Sequence, residues 1–370
     1  MKVTAAVLRD PTGSFEIEEL ELGDPRPDEV VVRMVATGVC HTDLLSRELP
    51  PELFVAPIVF GHEGAGIVES VGAEVTHVVP GDHVVLSFDS CGTCPSCTHD
   101  APYGCYQFNP LNLKNVGFQP GRLDGTCAFT DAAGKPVGSH FFGLSSFASH
   151  SVVAAHSAVK VDPSLNLESL GPLGCGVQTG AGAILNTLAV QPGASVVVLG
   201  AGSLGLSAVM AAKVAEAGTI VAVDKHPSRL ELAQRYGATH GISGSPAEIN
   251  AQIMQITGTG ADHVFDTTGN ATLVRAAFEA LNFVGTLGMA GVGSPEMTFG
   301  YTSLITGRKV LGVVEGSSRT HEFIPHLARL NADGAFPFDE LITYYPLEQI
   351  NEAAADSLAG KVVKPVVRFA

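Results

Sequence analysis

The chain has 370 residues, 45% of them hydrophobic, and a formal net charge of −16. That is apolar material for two domains rather than one. The acidic balance excludes the basic face that a nucleic-acid partner demands.

The opening "MKVTAAVLRD" carries charges at Lys2, Arg9 and Asp10 and has no apolar core of signal-peptide length, so a cytoplasmic protein is expected. Short β-type runs then follow one another: "EVVVRMV", "AGIVESV", "DHVVLSF" and "HSVVAAH", with glycine and proline between them. This pattern predicts an all-β, barrel-like unit. Two stretches within it carry metal-ligand chemistry. "GVCHTDLL" holds Cys40, His41, Thr42 and Asp43, and "GHEGAGIVESVG" is headed by His62 and Glu63.

Residues 91–105, "CGTCPSCTHDAPYGC", place Cys91, Cys94, Cys97 and Cys105 in a C-x2-C-x2-C-x7-C pattern. Seven cysteines is an odd number and nothing points to export, so metal ligation is favoured over disulfides. Four thiolates satisfy a tetrahedral zinc and leave no open position, which makes such a site a structural staple. The iron–sulfur run closes with C-x3-C-P, whereas here Tyr106 follows Cys105.

Ser169 to Ala212 contains no charged residue, but its glycines, with Pro172 and Pro192, suit a buried strand and helix better than a membrane span. It includes "GPLGCGVQTGAG", where Cys175 stands alone among glycines. A catalytic zinc takes three protein ligands, Cys2His among the known sets, and leaves the fourth position to water or substrate. Cys40, His62 and Cys175 would supply that set. Asp43 is a candidate to orient the imidazole, and Thr42 would place a hydroxyl beside the open position.

From Val177 to Arg319 the pattern changes to alternating strands and helices, a doubly wound half. Ser195–Leu199 is a β-branched run, and Gly200-x-Gly202-x-x-Gly205 follows at once, with Ser203 and Leu204 inside the turn. A second strand, Thr219 to Val223, ends at Asp224, 19 residues beyond Gly205. That context makes the glycines a dinucleotide fingerprint, with the pyrophosphate on a helix N-terminus. Asp224 would accept from the adenosine ribose and repel a 2′-phosphate, favouring NAD, with Lys225 and Arg229 tempering that preference. "DTTGN" and "MAGVGS" read as later strand ends of the same sheet.

Taken together and in order, these motifs resemble those of the zinc-dependent medium-chain alcohol dehydrogenases. Gly61-His62-Glu63-x-x-Gly66 with Gly72 and Val75 matches the family's zinc pattern, and the similarity runs from Val3 to Phe369. The resemblance implies an α/β protein: a barrel-like, GroES-like β-rich catalytic domain (1–176), a Rossmann NAD-binding domain (177–319), and a return to the first domain (320–370). It implies two zinc ions per chain, an active site in a cleft between the domains, and hydride transfer between NAD and an alcohol, with Thr42 taking the hydroxyl proton. Glu63 would lie close to the catalytic zinc. Thr179 and the Val292 backbone would flank the nicotinamide, and His41 and Lys364 would face the pyrophosphate. Leu45 stands where many relatives carry a histidine that relays the proton.

Cys175, where polyol dehydrogenases carry glutamate, implies a primary alcohol. "FFGLSSFASH" and "FPFDELITYYPLEQINEA" look most like aryl-alcohol (benzyl alcohol) and allylic terpene-alcohol (geraniol) dehydrogenases. Phe147 and Phe54 would wall the pocket. One alternative is a thiol-adduct formaldehyde dehydrogenase, which would need cations such as Lys114, Arg122 and Lys135. Others are a non-catalytic NAD-binding relative and a redox switch at Cys91–Cys105. The partners expected are a small alcohol or aldehyde and a second copy of the chain, as a homodimer through the doubly wound domain or a tetramer, with neither nucleic acid nor membrane.

Overall fold

The structure, a computed structural model, describes residues 1–44, 56–113 and 121–369. It divides into two compact units: Met1–Cys175 with Arg319–Ala332 and Phe338–Ala370, and Gly176–Ser318 with Asp333–Pro337.

The first unit is β-rich. Its strands are β1 (Lys2–Leu8), β2 (Glu16–Leu22), β3 (Glu29–Gly38), β4 (Ile58–Val59), β5 (Gly64–Val71), β6 (His83–Leu86), β7 (Phe129–Thr130), β8 (Pro136–Val137), β9 (His150–Ala154) and β10 (Ala158–Lys160). One sheet runs β4-β1-β2-β7-β8. The acidic strand β2, "EIEELEL", buries only Leu20 and Leu22 and turns its other face to water. The second sheet is centred on β3, whose Val30, Val31, Val32 and Met34 are all buried. That strand pairs antiparallel with β5, with β9 and with the C-terminal β18 (Lys364–Arg368), which in turn runs parallel to β17 (Ile342–Pro346). Phe60, Phe129, Phe141 and Phe147 fill the space within this unit.

The second unit holds β11 (Ser195–Leu199), β12 (Thr219–Val223), β13 (His240–Ile242), β14 (Ala261–Asp266), β15 (Leu281–Met289) and β16 (Lys309–Gly312). They form a wholly parallel sheet in the order β13-β12-β11-β14-β15-β16. The runs "VVVL" and "IVAV" of β11 and β12 are buried throughout, as strands covered on both faces require. Helices Ser203–Val214, Pro227–Tyr236, Pro246–Thr257 and Ala271–Glu279 alternate with the strands. Local signals set their starts: Ser245 and Glu248 form a capping box, and the Asn270 side chain accepts from the Leu273 N–H. The sheet order reverses beside β11, the switch point where ligands bind in open α/β sheets. No helix among the described residues is long and apolar enough to cross a membrane.

A buried carboxylate ties residues 121–140 to β3. Glu29 accepts a fork from Arg122 (Nε–Oε1 2.5 Å, Nη2–Oε2 2.7 Å), one bond from His140 Nε2 at 3.1 Å, and one from the Arg26 N–H at 2.9 Å. Burial alone would push the Glu29 carboxyl up, but Arg122 and His140 outweigh it and lower it from 4.5 to about 2. A carboxyl depressed on folding stabilises the protein fully above its unfolded pKa and loses that contribution as pH falls through the folded one. Glu29→Gln should therefore cost about 3 kcal/mol at pH 7, since Arg122 is left buried without its counter-charge. Between pH 4.5 and about 2 the wild type should lose its advantage over the variant. Denaturant titrations of both proteins across that range check this, and equal midpoints at pH 7 would refute it.

Candidate active site

Three chain segments of the first unit deliver the candidate ligands. Strand β3 ends at Gly38 and the chain turns at Cys40 into the short helix His41–Leu44. His62 and Glu63 immediately precede β5, and Cys175 follows the tight turn Gly171–Gly174. The donor atoms of Cys40, His62, Glu63 and Cys175 all lie within 4.8 Å of one another.

Asp43 organises this convergence. Its buried carboxylate accepts from the Cys40 N–H at 2.9 Å, the Gly61 N–H at 3.1 Å and the His62 ring at 2.8 Å. A carboxylate only accepts, so His62 Nδ1 carries the hydrogen and Nε2 offers its lone pair. That Nε2 is buried and makes no hydrogen bond of acceptable geometry, although the candidate donor sulfurs stand within 4.8 Å. Burial opposes a charge on His62, yet Asp43 and Cys40 outweigh it and raise its pKa well above the ordinary value. The Cys40 thiol is lowered well below its usual range, chiefly by a hydrogen bond from Cys175, with burial opposing and His62 assisting. The site's field thus favours a cation between the sulfurs and the imidazole, and the donor set Cys2His is one that zinc takes.

The surroundings are equally specific. The Thr42 hydroxyl lies 3.8 Å from Cys40 Sγ and is part-exposed, while His41 is exposed. Glu63 forms an ion pair with Lys364, whose side chain is only 5% exposed and whose Nζ also reaches the Val39 carbonyl at 3.5 Å. Burial raises the Glu63 carboxyl, and Lys364 partly offsets that. This differs from the phosphate contact expected of Lys364: its ammonium is buried and held by Glu63.

The aromatic wall also differs from expectation. Phe147 is fully buried and packs edge-on to Phe15 at 5.6 Å, so it belongs to the core. Phe142 instead stacks on the His62 ring at 4.6 Å and 25°, and Phe141 meets the same ring edge-on at 5.6 Å. His140, Phe142, Gly143 and Ser145 all have positive φ, so ring directions alternate there in a way no strand or helix period describes. Phe54, Leu45 and Lys114 lie outside the described residues.

The four cysteines of residues 91–105 form a second cluster, again with all donor atoms within 4.8 Å. Sulfur separations of 3.5 Å (Cys94–Cys97) and 4.0 Å (Cys91–Cys97) are far beyond a disulfide bond, and all seven cysteines are free. Backbone N–H groups of Cys94 and Gln107 point at Cys91 Sγ and Cys105 Sγ, each at 3.4 Å. Burial opposes ionisation of Cys91, but the N–H groups of Thr93 and Cys94 outweigh it and bring the thiol to about 6. Cys97 is pushed up to about 12 by burial and by Cys94. Thiols this close cannot all ionise by themselves, and a dication removes the conflict.

The second unit carries the fingerprint. Gly200 takes φ +91° at the end of β11, and Gly202 caps the helix Ser203–Val214. A Cβ at Gly205 would stand 1.8 Å from the Gly200 carbonyl oxygen, so nothing larger fits under the turn. A Cβ at Gly202 would meet no protein atom within 4 Å, so the protein itself does not require glycine there; a closely approaching ligand does. The Ser203 hydroxyl is buried without a hydrogen-bond partner among the described residues, while Leu204 lies partly buried on the same first turn. Asp224 accepts from the Ala201 N–H and the His226 N–H, both at 2.8 Å, which places its carboxylate at the mouth of the turn. Burial lowers the Arg229 guanidinium, and Asp224 counters it. Thr179 is buried against Glu315, a residue the sequence motifs did not single out, and Val292 is 74% exposed beyond β15.

Comparison with known proteins agrees with both halves. Residues 26–163 match the alcohol dehydrogenase GroES-like domain, and residues 203–331 match the zinc-binding dehydrogenase domain. The chain is 43% identical to geraniol dehydrogenase of Castellaniella defragrans, over 99% of this chain and 97% of the relative. It is 38% identical to an S-(hydroxymethyl)glutathione dehydrogenase of Escherichia coli, with both chains covered fully. The crystal structure of benzyl alcohol dehydrogenase from Acinetobacter calcoaceticus superposes with a TM-score of 0.93 at 41% identity, each chain covered in full. With these domains, this donor chemistry and full-length relatives, the chain belongs to the zinc-dependent medium-chain alcohol dehydrogenases.

Proposed function

We propose that this family member oxidises a flat, apolar primary alcohol, of benzyl or geraniol type, with NAD as hydride acceptor. The observation that carries the reading is His62: its Nδ1 is fixed by Asp43, its Nε2 faces Cys40 and Cys175, and its ring face is covered by Phe142. Cys40, His62 and Cys175 would hold a catalytic zinc, and Cys91, Cys94, Cys97 and Cys105 a structural one, two per chain. When bound, the zinc supplies Lewis-acid polarisation of the alcohol oxygen, and NAD supplies the hydride acceptor. Thr42 receives the hydroxyl proton, and with Leu45 at the relay position the exposed His41 is the imidazole nearest in sequence to pass it to water. Phe142 offers an aryl or allylic group a ring to pack against. Gly200, Gly202, Ser203 and Gly205 cradle the pyrophosphate, while Asp224 accepts from the ribose and disfavours a 2′-phosphate.

The relative named for S-(hydroxymethyl)glutathione supports a second reading. Such a substrate brings carboxylates that need cations, and Arg122, one of the cations available, is committed to Glu29. That weighs against the thiol adduct. The assay is reduction of NAD and of NADP with benzyl alcohol, geraniol, ethanol and S-hydroxymethyl-glutathione. Turnover on the aryl or allylic alcohols with NAD, at ten-fold or greater advantage over the other two, is expected. Turnover confined to the thiol adduct would overturn the substrate reading.

The zinc reading has its own check. Elemental analysis should give two zinc ions per chain. Asp43→Asn should weaken only the catalytic one, about 10- to 100-fold, because a carboxylate behind a ligating histidine is worth that much in affinity. Chelator titration should then strip one metal early and leave the second. Loss of both together, or of neither, would contradict the assignment.

Self-association through the parallel sheet is expected as well. β16 is an open edge, and Phe283, Val284, Tyr301 and Ile305 expose large apolar side chains in the segments around it. Edges of this kind are covered by another strand or chain. Phe283→Asp should shift the protein from dimer or tetramer towards monomer in light scattering. A monomeric wild type would refute the reading.

A further inference from the structure

Glu315 lies three residues beyond the end of β16, on the carboxyl edge of the parallel sheet. The same edge carries the Gly200–Gly205 turn after β11 and Val292 after β15. Its backbone is unusual: Glu315, Gly316 and Ser317 have φ of +46°, +65° and +49° in succession. Left-handed conformation costs a non-glycine residue roughly 1–2 kcal/mol. Such strain persists where the surroundings over-determine it, and it concentrates at ligand sites. Here Asn186 Nδ2 donates to the Gly316 carbonyl at 3.1 Å, and the Thr187 and Ser317 hydroxyls lie 2.8 Å apart.

What the held turn secures is a buried carboxylate. Glu315 is 9% exposed, and Gln178 Nε2 and Thr179 Oγ1 each donate to its Oε2 at 3.4 Å. Both donors are neutral and both contacts sit at the long limit of a hydrogen bond. A carboxylate has about four acceptor positions and is best satisfied by shorter N–H contacts. Gln178 and Thr179 belong to the helix Gly176–Gly182, whose Gly180 packs on the Leu204 carbonyl in the first turn after the fingerprint.

Strand order then gives the direction of a bound dinucleotide. Asp224 follows β12, on one side of β11, while β14, β15 and β16 lie on the other. With the pyrophosphate over Gly202 and the adenosine ribose at Asp224, the nicotinamide extends towards the side where Glu315 stands. We propose that Glu315 is a cofactor-binding residue whose carboxylate accepts an N–H of the nicotinamide carboxamide and so fixes the rotation of the ring. This rests on the NAD reading above and adds to it the group that recognises the amide.

The test uses a pair of reduced dinucleotides that differ only at that group: NADH, and its 3-acetylpyridine analogue, in which a methyl replaces the amide NH2. Dissociation constants measured by calorimetry on wild type, Glu315→Gln and Glu315→Ala avoid any difference in hydride chemistry. A hydrogen bond to a charged group is worth about 10- to 100-fold in affinity. Wild type should prefer NADH by about that factor. Glu315→Ala should bring the ratio close to one by weakening NADH alone, and Glu315→Gln, which keeps a neutral oxygen acceptor, should fall between. Equal binding of the two ligands by wild type would overturn the proposal without recourse to a variant. An unchanged preference in Glu315→Ala that melts as wild type does would overturn it too. Failure of wild type to bind NADH at all would overturn the cofactor reading, and this inference with it.

Discussion

The first unit is organised around one buried carboxylate. Asp43 takes hydrogen bonds from the Cys40 N–H, the Gly61 N–H and the His62 ring, and so joins two segments of the chain at a single group. Burying a charge is costly unless it is fully hydrogen-bonded, and three donors answer that requirement. The consequence runs outward. A fixed Nδ1–H sets the tautomer of His62 and leaves Nε2 facing the sulfurs, and the ring plane so defined gives Phe142 a face to stack on. Removing the carboxylate would leave every ligand in place and unorient the one that matters most.

The two cysteine clusters obey the same electrostatic rule at different depths. In each, several groups able to carry negative charge stand within 4.8 Å of one another. Without a cation their titrations must diverge, and they do: Cys91 falls to about 6 while Cys97 climbs to about 12. Around Cys40 the tension is partly met by Lys364, which sits against Glu63 rather than in water. A cationic side chain buried among the ligands of a dication looks paradoxical. It makes sense as the counter-charge of the one carboxylate in the group that is not needed as a fixed ligand.

What was legible in the sequence follows from how locally each feature is encoded. The C-x2-C turns place three of the four sulfurs of the small cluster by chain geometry alone, so spacing sufficed. The fingerprint was equally local, because strand, turn and helix are consecutive, and each glycine meets its steric limit within the turn or at its open face. The Asp43–His62 pair was legible by residue type. The aromatic wall was not. Phe141 and Phe142 are adjacent, yet left-handed residues on either side send them both onto His62, while Phe147, in a regular segment, turns into the core. Glu315 escaped because its partners lie 136 and 137 residues away and its conformation is one that propensity disfavours. Lys364 was found as a residue but not as a contact, since its ion pair with Glu63 depends on β18 lying beside β3.

The features hardest to read from sequence are also those best suited to choosing a substrate and a cofactor pose. The metal motifs and the glycine turn dictate reaction class, and chains so similar overall are named for alcohols as different as geraniol and S-(hydroxymethyl)glutathione. Overall likeness therefore cannot decide the substrate, and a few side chains must. Two strained segments supply candidates, one in each unit: residues 140–145, which put Phe142 on His62, and residues 315–317, which hold Glu315 against Thr179. Left-handed non-glycine residues lower stability wherever they occur, so their concentration in two short stretches is best explained by what those stretches hold in place. In both, the side chain so held is the one that differs in kind from the surrounding polar or apolar background: an aromatic ring among metal ligands, and a carboxylate among neutral amides and hydroxyls. Regular strands and helices fix the positions of the ligands and the fingerprint, while irregular backbone aims the groups that discriminate.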